Sequence, residues 1–226
     1  MKNIKRKIHV IGLNTFKIED LSQEVQELFH KVKNIAAPYT YIHEIRKWVS
    51  MELIKGKNFY ESKSNLDLIN WLESTDNDVI LISRGDPLWF GIGRILLNNF
   101  SKEELLFYPG ETSLQLAFSR LKKPWQDVKA VSIHGRETNE LIKFLKLKEK
   151  GIAILTDPKN NNLGLIRQNL KELDLESVYE FWLCEDIGSK NEKISLISHE
   201  ENLPREISDL NIVILLKKEI ISHIQN

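Results

Sequence analysis

Short apolar runs alternate with amphipathic stretches along the first half of this chain. Asp78-Val79-Ile80-Leu81-Ile82 is an uninterrupted apolar run bounded by turn formers, which predicts a strand buried on both faces. Lys7-Ile8-His9-Val10-Ile11-Gly12 predicts a first strand that ends at a glycine. Between them, Leu21, Val25, Leu28, Phe29 and Val32 recur at helical spacing and predict an amphipathic helix over 20–32. Asn34 to Pro38 predicts a short strand. Ser64 to Ser74 predicts a helix with Leu68, Ile69 and Leu72 on one face. The stretch from Tyr39 to Trp48 mixes aromatic and basic residues. It reads either as a half-buried helix covering a sheet or as a wall facing a large planar ligand.

The second half begins the same way and ends richer in strands. A helix is expected from Arg94 to Phe100, a strand from Leu105 to Tyr108 and a helix from Ser113 to Lys122. Strands at 128–133 and 151–158 alternate with helices at 138–148 and 163–173. Strands at 178–184, 193–197 and 211–216 then follow, the middle one expected antiparallel to its predecessor. Strand–helix alternation implies a parallel sheet, and a run of strands implies a mixed one. The expectation is α/β, with two α/β domains at 1–109 and 110–226 and a cleft between them. The amino-terminal sheet should be mainly parallel and the carboxyl-terminal sheet mixed.

Composition narrows the function classes. Lys plus Arg number 32 and Asp plus Glu number 32, so formal charge is zero. That argues against non-specific nucleic-acid or membrane binding as the main role. The lone cysteine, Cys184, excludes an internal disulfide and a Cys-rich zinc site; its apolar surroundings favour a core position. The six histidines show no metal-ligand spacing, so no metal is expected. The basic amino terminus lacks an apolar signal region and no run is long enough to span a membrane, so a cytoplasmic protein is expected.

The chemistry concentrates after the predicted strand that ends at Ile82. Ser83-Arg84-Gly85-Asp86-Pro87-Leu88-Trp89-Phe90-Gly91-Ile92-Gly93 links that strand to a helix, at the strand end where α/β sheets bind ligands. Gly85 permits close backbone approach, Pro87 stiffens the turn and Asp86 places a carboxylate at the mouth. The glycine pattern lacks the G-x-G-x-x-G spacing of a dinucleotide site. Thr112-Ser113-Leu114-Gln115 matches a capping box at a helix start.

This loop resembles the Gly-Asp-Pro loop of the tetrapyrrole methylases, which use S-adenosylmethionine. Tyr108-Pro109-Gly110-Glu111-Thr112-Ser113 is similar to that family's Pro-Gly-x-Ser/Thr segment. Pro124-Trp125-Gln126-Asp127 and Ser132-Ile133-His134-Gly135-Arg136 resemble the branch that methylates carbon-5 of precorrin or cobalt-precorrin intermediates in cobalamin synthesis. Leu155-Thr156-Asp157 and Cys184-Glu185-Asp186-Ile187-Gly188 continue the likeness. Gly12-Leu13-Asn14-Thr15 departs from the family's Gly-x-Gly-Pro loop.

The resemblance implies a two-domain methylase fold, a tetrapyrrole substrate and a homodimer. It implies cofactor contacts from Gly12, Arg84, Gly85, Asp86, Trp89, Thr112, Ser113, Thr156 and Asp157. His134 becomes a candidate proton acceptor, or else only fixes its turn. Arg136 and Arg84 become candidate anchors for substrate carboxylates, or else surface ion-pair partners. Asp157 and Glu185 are further strand-end carboxylates or loop caps. Carbon-15 methylation and decarboxylation are expected from another protein. A methylase of this fold acting on ribosomal RNA or protein, and a relative that binds without catalysis, are the alternatives.

Overall fold

The computed structural model describes residues 6–13, 18–38, 56–133, 138–156 and 162–218, so the aromatic and basic stretch Tyr39 to Trp48 lies outside the described residues. The chain divides into two compact units, Met1–Thr112 and Ser113–Asn226. Each is built on one five-stranded sheet.

In the first unit the order is β1 (Ile8–Leu13), α1 (Gln23–Lys31), β2 (Asn34–Ala37), β3 (Asn58–Glu61), α2 (Asn65–Glu73), β4 (Val79–Arg84), α3 (Gly93–Asn99) and β5 (Leu105–Tyr108). The strands lie in the order β3-β2-β4-β1-β5, and every pairing is parallel. Helices cover both faces, which is why β1 and β4 read as continuous apolar runs rather than alternating ones. Val25 and Phe29 of α1 pack on Ile11, Leu13, Ile35, Ile80 and Ile82. Leu68, Ile69 and Leu72 of α2 and Leu96 of α3 pack with Val10, Ala36 and Leu81 on the other face. Phe29 is fully buried, a contribution of about 2–3 kcal/mol. Ser22 and Ser64 cap α1 and α2 by accepting from the amides of Val25 (3.4 Å) and Asp67 (3.1 Å). Strand β3 is not expected from sequence. It is a four-residue edge strand, Asn-Phe-Tyr-Glu, exposed or half-buried throughout, so it carries no apolar run to announce it.

The second unit comprises α4 (Ser113–Leu121), β6 (Val128–Ser132), α5 (Asn139–Lys146), β7 (Gly151–Leu155), α6 (Asn162–Glu172), β8 (Tyr179–Glu185), β9 (Lys193–Ile197) and β10 (Asn211–Lys217). The sheet order is β6-β7-β10-β8-β9. Only β6 and β7 pair in parallel; β10 runs antiparallel to both β7 and β8, and β9 antiparallel to β8. The α/β class, with one parallel and one mixed sheet, is thus as expected. Leu141 and Leu145 of α5 and Leu163, Ile166 and Leu170 of α6 seal one face. Helix α4 lies against β10. Cys184 is fully buried, and burial, then the Glu192 charge, pushes its thiol up to about 12, so it is a core residue. Among the described residues, no helix is long and apolar enough to cross a membrane.

Candidate functional site

The topology of the first unit fixes where its strand order reverses. From β1 the chain passes through α1 to β2, on one side of β1; from β4 it passes through α3 to β5, on the other side. Helix α1 packs on one sheet face and α3 on the opposite face. The connections from adjacent strands β1 and β4 therefore lead to opposite sides of the sheet, which is a reversal of strand order. The carboxyl edge beside this reversal is the position where open α/β sheets take ligands.

Glycine backbones build this edge. Gly85 donates to the carbonyl of Leu13 (3.3 Å) and accepts from the amide of Gly110 (3.2 Å). A β-carbon on Gly12 would stand 1.7 Å from the Gly85 carbonyl oxygen and 2.6 Å from the Gly110 nitrogen. One on Gly110 would stand 2.5 Å from the Gly12 oxygen. The end of β1 and the loops after β4 and β5 are stapled main chain to main chain, and at Gly12 and Gly110 only glycine fits. Gly85 also has φ of 57°, which glycine adopts without penalty. Thr112 is buried beside it, its Cα 3.5 Å from where a Gly85 β-carbon would lie. From sequence Gly110 reads only as a turn, because its contact with Gly12 spans most of the unit.

Beyond Gly85 the loop folds around Asp86. Oδ1 of Asp86 accepts from the Leu88 amide (2.8 Å), and its carbonyl accepts from the Trp89 amide (3.1 Å). The Gly93 amide closes the loop on the Pro87 carbonyl (2.8 Å). Oδ2 of Asp86 has no hydrogen-bond partner among the described residues, so the half-buried carboxylate keeps one acceptor for a ligand. Arg84 is exposed at the end of β4, and Trp89 is half-buried with its ring edge-on to Phe90. Below this loop, buried His9 of β1 places Nδ1 3.2 Å from the Tyr108 hydroxyl of β5. Burial holds His9 below its ordinary value; burial, then the Glu24 carboxylate, raises Tyr108.

The remaining expected residues lie in the second unit. Ser113 opens α4 and is half-buried. Because β6, β7 and β8 run in one direction, their carboxyl ends share an edge with the start of β10. Buried Thr156 donates there to Asn211, whose carbonyl oxygen and Oδ1 lie at 3.0 and 2.7 Å. Its hydroxyl proton therefore ties β7 to β10. Glu185 and Asp186 both hold the turn before β10: Oε1 of Glu185 accepts from the Ser208 amide (2.9 Å), and Oδ1 of Asp186 accepts from the Ser208 hydroxyl (2.7 Å). Oε2 of Glu185 is buried without a hydrogen bond, 3.7 Å from the Lys193 ammonium. His134, Arg136 and Asp157 lie outside the described residues. No group of three or more metal-ligating side chains occurs among the described residues.

Comparison with known proteins gives this edge a lineage. A Methanocaldococcus jannaschii protein named "probable cobalt-precorrin-7 C(5)-methyltransferase" is 28% identical over 85% of this chain and 82% of its own. A Sinorhizobium protein named as a decarboxylating precorrin-6Y C(5,15)-methyltransferase is 28% identical over 82% of this chain, which spans 43% of that protein. The crystal structure of a uroporphyrin-III C-methyl transferase from Thermus thermophilus, complexed with S-adenyl homocysteine, has the same fold. Its TM-score is 0.66 at 17% identity, over 92% of this chain and 96% of that one. The family of tetrapyrrole (corrin/porphyrin) methylases matches residues 7–201, so the chain belongs to the tetrapyrrole methylases.

Proposed function

We propose that this chain transfers a methyl group from S-adenosylmethionine to carbon-5 of a precorrin or cobalt-precorrin ring during cobalamin synthesis. The observation that carries the reading is the glycine-stapled edge at the ends of β1, β4 and β5, in a chain 28% identical to a relative named for that reaction. At Gly12 and Gly110 neighbouring main chain fills the place of a β-carbon, so the edge that carries Asp86 is held without side chains.

S-adenosylmethionine supplies an electrophilic methyl group on a sulfonium, with a neutral thioether as leaving group. The protein's task is then positioning donor and acceptor carbon in line, with water kept out. Gly12, Gly85 and Thr112 form the cradle wall, with Arg84 and Trp89 on its rim. The spare oxygen of Asp86 favours a cationic ligand over its neutral product. Ser113 and Asp157 are further candidate donor contacts, whereas Thr156 keeps its proton on Asn211. Arg136 binds an acidic arm of the acceptor, for which a planar guanidinium is suited. His134 takes the proton that the accepting carbon sheds. The enzyme works in the cytoplasm as a homodimer.

The test is transfer of labelled methyl from S-adenosylmethionine to cobalt-precorrin-7 and to precorrin-6Y by purified protein, with product mapped by carbon NMR. Label at carbon-5 supports the reading. Label on RNA or protein, or binding of S-adenosylhomocysteine without transfer to either ring, refutes it.

A further inference from the structure

One polar side chain is buried in an otherwise apolar strand. Strand β1 reads Ile-His-Val-Ile-Gly-Leu and is buried throughout, His9 included. A buried polar group is tolerated where it is paired. His9 Nδ1 lies 3.2 Å from the Tyr108 hydroxyl, 99 residues away. That hydroxyl also meets the Glu24 carboxylate of α1 in a hydrogen bond. A phenol has one proton and an ionised carboxylate only accepts, so the Tyr108 proton goes to Glu24. In neutral His9, Nδ1 is then the N–H that donates to Tyr108.

This tie stands next to the stapled edge. Strand β5 ends one side of the first sheet and pairs with β1 alone, in a register that finishes at Ile11 and Tyr108. Pro109 has no amide to donate. The next main-chain bond is therefore the Gly110 amide on the Gly85 carbonyl, at 3.2 Å. A β-carbon on Gly110 would stand 2.5 Å from the Gly12 oxygen, so small shifts of this segment are felt at once. A strand held by a ladder on one side only gains a second anchor from a side chain tied to both β1 and α1.

We propose that Tyr108 is a positioning residue for the donor site: anchored by His9 and Glu24, it fixes the end of β5 and so sets the Gly110 amide against Gly85. Its hydroxyl is committed to His9 and Glu24, so it acts through the stapled edge, and the proposal rests on the reading of that edge as the donor site. The tie also makes the edge sensitive to acid. Among the described residues, the groups facing His9 are Tyr108 from β5, Glu24 from α1 and Asp78 just before β4, with Lys7 on its own strand. Burial outweighs the two carboxylates and holds His9 below its ordinary value. Protonation puts a charge and a second N–H into a buried place, and the end of β5 opens to let water reach them.

The test combines calorimetric affinity for S-adenosylhomocysteine with amide hydrogen exchange followed by mass spectrometry. Tyr108→Phe keeps the ring and removes the tie. Exchange across residues 105–112 should rise while that of β7 and β10 stays as in wild type. Ligand affinity should fall roughly three- to tenfold, the scale of one hydrogen bond. His9→Asn puts an N–H where Nδ1 stands but does not titrate. Wild type should bind the ligand more weakly at about pH 5.5 than at about pH 7.5, and His9→Asn should lose that difference. Tyr108→Phe with wild-type affinity overturns the proposal. So does exchange that rises equally in both units, which would make the tyrosine a general stability element, and so does an undiminished acid loss in His9→Asn. Wild-type protein that binds no S-adenosylhomocysteine overturns the donor reading, and the proposal with it.

Discussion

Replacing Gly12 with alanine tests the stapled edge most directly. The new β-carbon would sit 1.7 Å from the Gly85 carbonyl oxygen, where side chains essentially never come closer than 3.0 Å, so that carbonyl must retreat by more than an ångström. It is the acceptor for Gly110, at 3.2 Å, and the same residue donates to Leu13 at 3.3 Å. Two main-chain bonds are therefore lost, about 1 kcal/mol each. Forcing a methyl group into filled space adds about 1–3 kcal/mol. The sum is about 3–5 kcal/mol, or roughly 6–20 °C in melting temperature for a chain of this size. Gly56 is the control: its φ is 79°, but nothing lies within 4 Å of where its β-carbon would stand, so Gly56→Ala carries conformational cost alone, about 1 kcal/mol. Thermal melts followed by circular dichroism, with calorimetry of S-adenosylhomocysteine, give both readouts. Gly12→Ala should melt far below Gly56→Ala and bind the ligand poorly. If it melts within about 2 °C of wild type, or no lower than Gly56→Ala, the ends of β1, β4 and β5 are not locked by main-chain contact and the stapled edge is wrong.

Other consequences are open to single measurements. Asp86→Asn keeps an acceptor for the Leu88 amide but removes the charge, so affinity for S-adenosylmethionine should fall by about 1–3 kcal/mol while that for S-adenosylhomocysteine, which lacks the sulfonium charge, falls less. Equal losses in calorimetry would assign Asp86 a hydrogen-bonding role only. Thr156→Val leaves Asn211 Oδ1 without its donor and should cost about 1–3 kcal/mol in urea unfolding. Burial holds His9 below its ordinary 6.5, so the unfolded chain takes up a proton first as pH falls; stability should drop below about pH 6.5, and His9→Gln should flatten that drop. Burial raises Cys184 from 9.0 and Tyr179 from 10.0, each to about 12, so the unfolded state loses protons first and stability should fall as pH rises between those values. A thiol reagent should label Cys184 only after unfolding; labelling of the native protein would contradict its burial.

Much of the fold was legible because burial on both faces writes itself as continuous apolar runs. Strands β1, β4, β7 and β10 are such runs, and the helices between them carry regular apolar stripes. The edge strand β3 was not legible, since pairing on one side only demands little apolar surface. In the candidate site, sequence located Gly12 and Gly85 after strands and Asp86 at a turn. It could not reveal that Gly12, Gly85 and Gly110 touch, because that depends on β1 lying between β4 and β5. The His9–Tyr108 pair, 99 residues apart, and the left-handed Phe90 are likewise tertiary facts with no local signature.

The two carboxyl edges use their polar residues differently, which bears on which candidates can serve a ligand. In the second unit, structure consumes much of the polar edge: the Thr156 proton goes to Asn211, and Glu185 and Asp186 hold Ser208. A buried polar group committed in this way cannot turn to a ligand without leaving its partner unpaired, at about 1–3 kcal/mol. In the first unit glycine backbone joins the ends of β1, β4 and β5, and within the loop after β4 Asp86 spends only Oδ1, on the Leu88 amide. Asp86 keeps Oδ2, and the apolar tip at Leu88 and Phe90 stays at the surface. Main-chain stapling therefore does in the first unit what side-chain hydrogen bonds do in the second, and it leaves the loop after β4 with a carboxylate oxygen for a charged ligand.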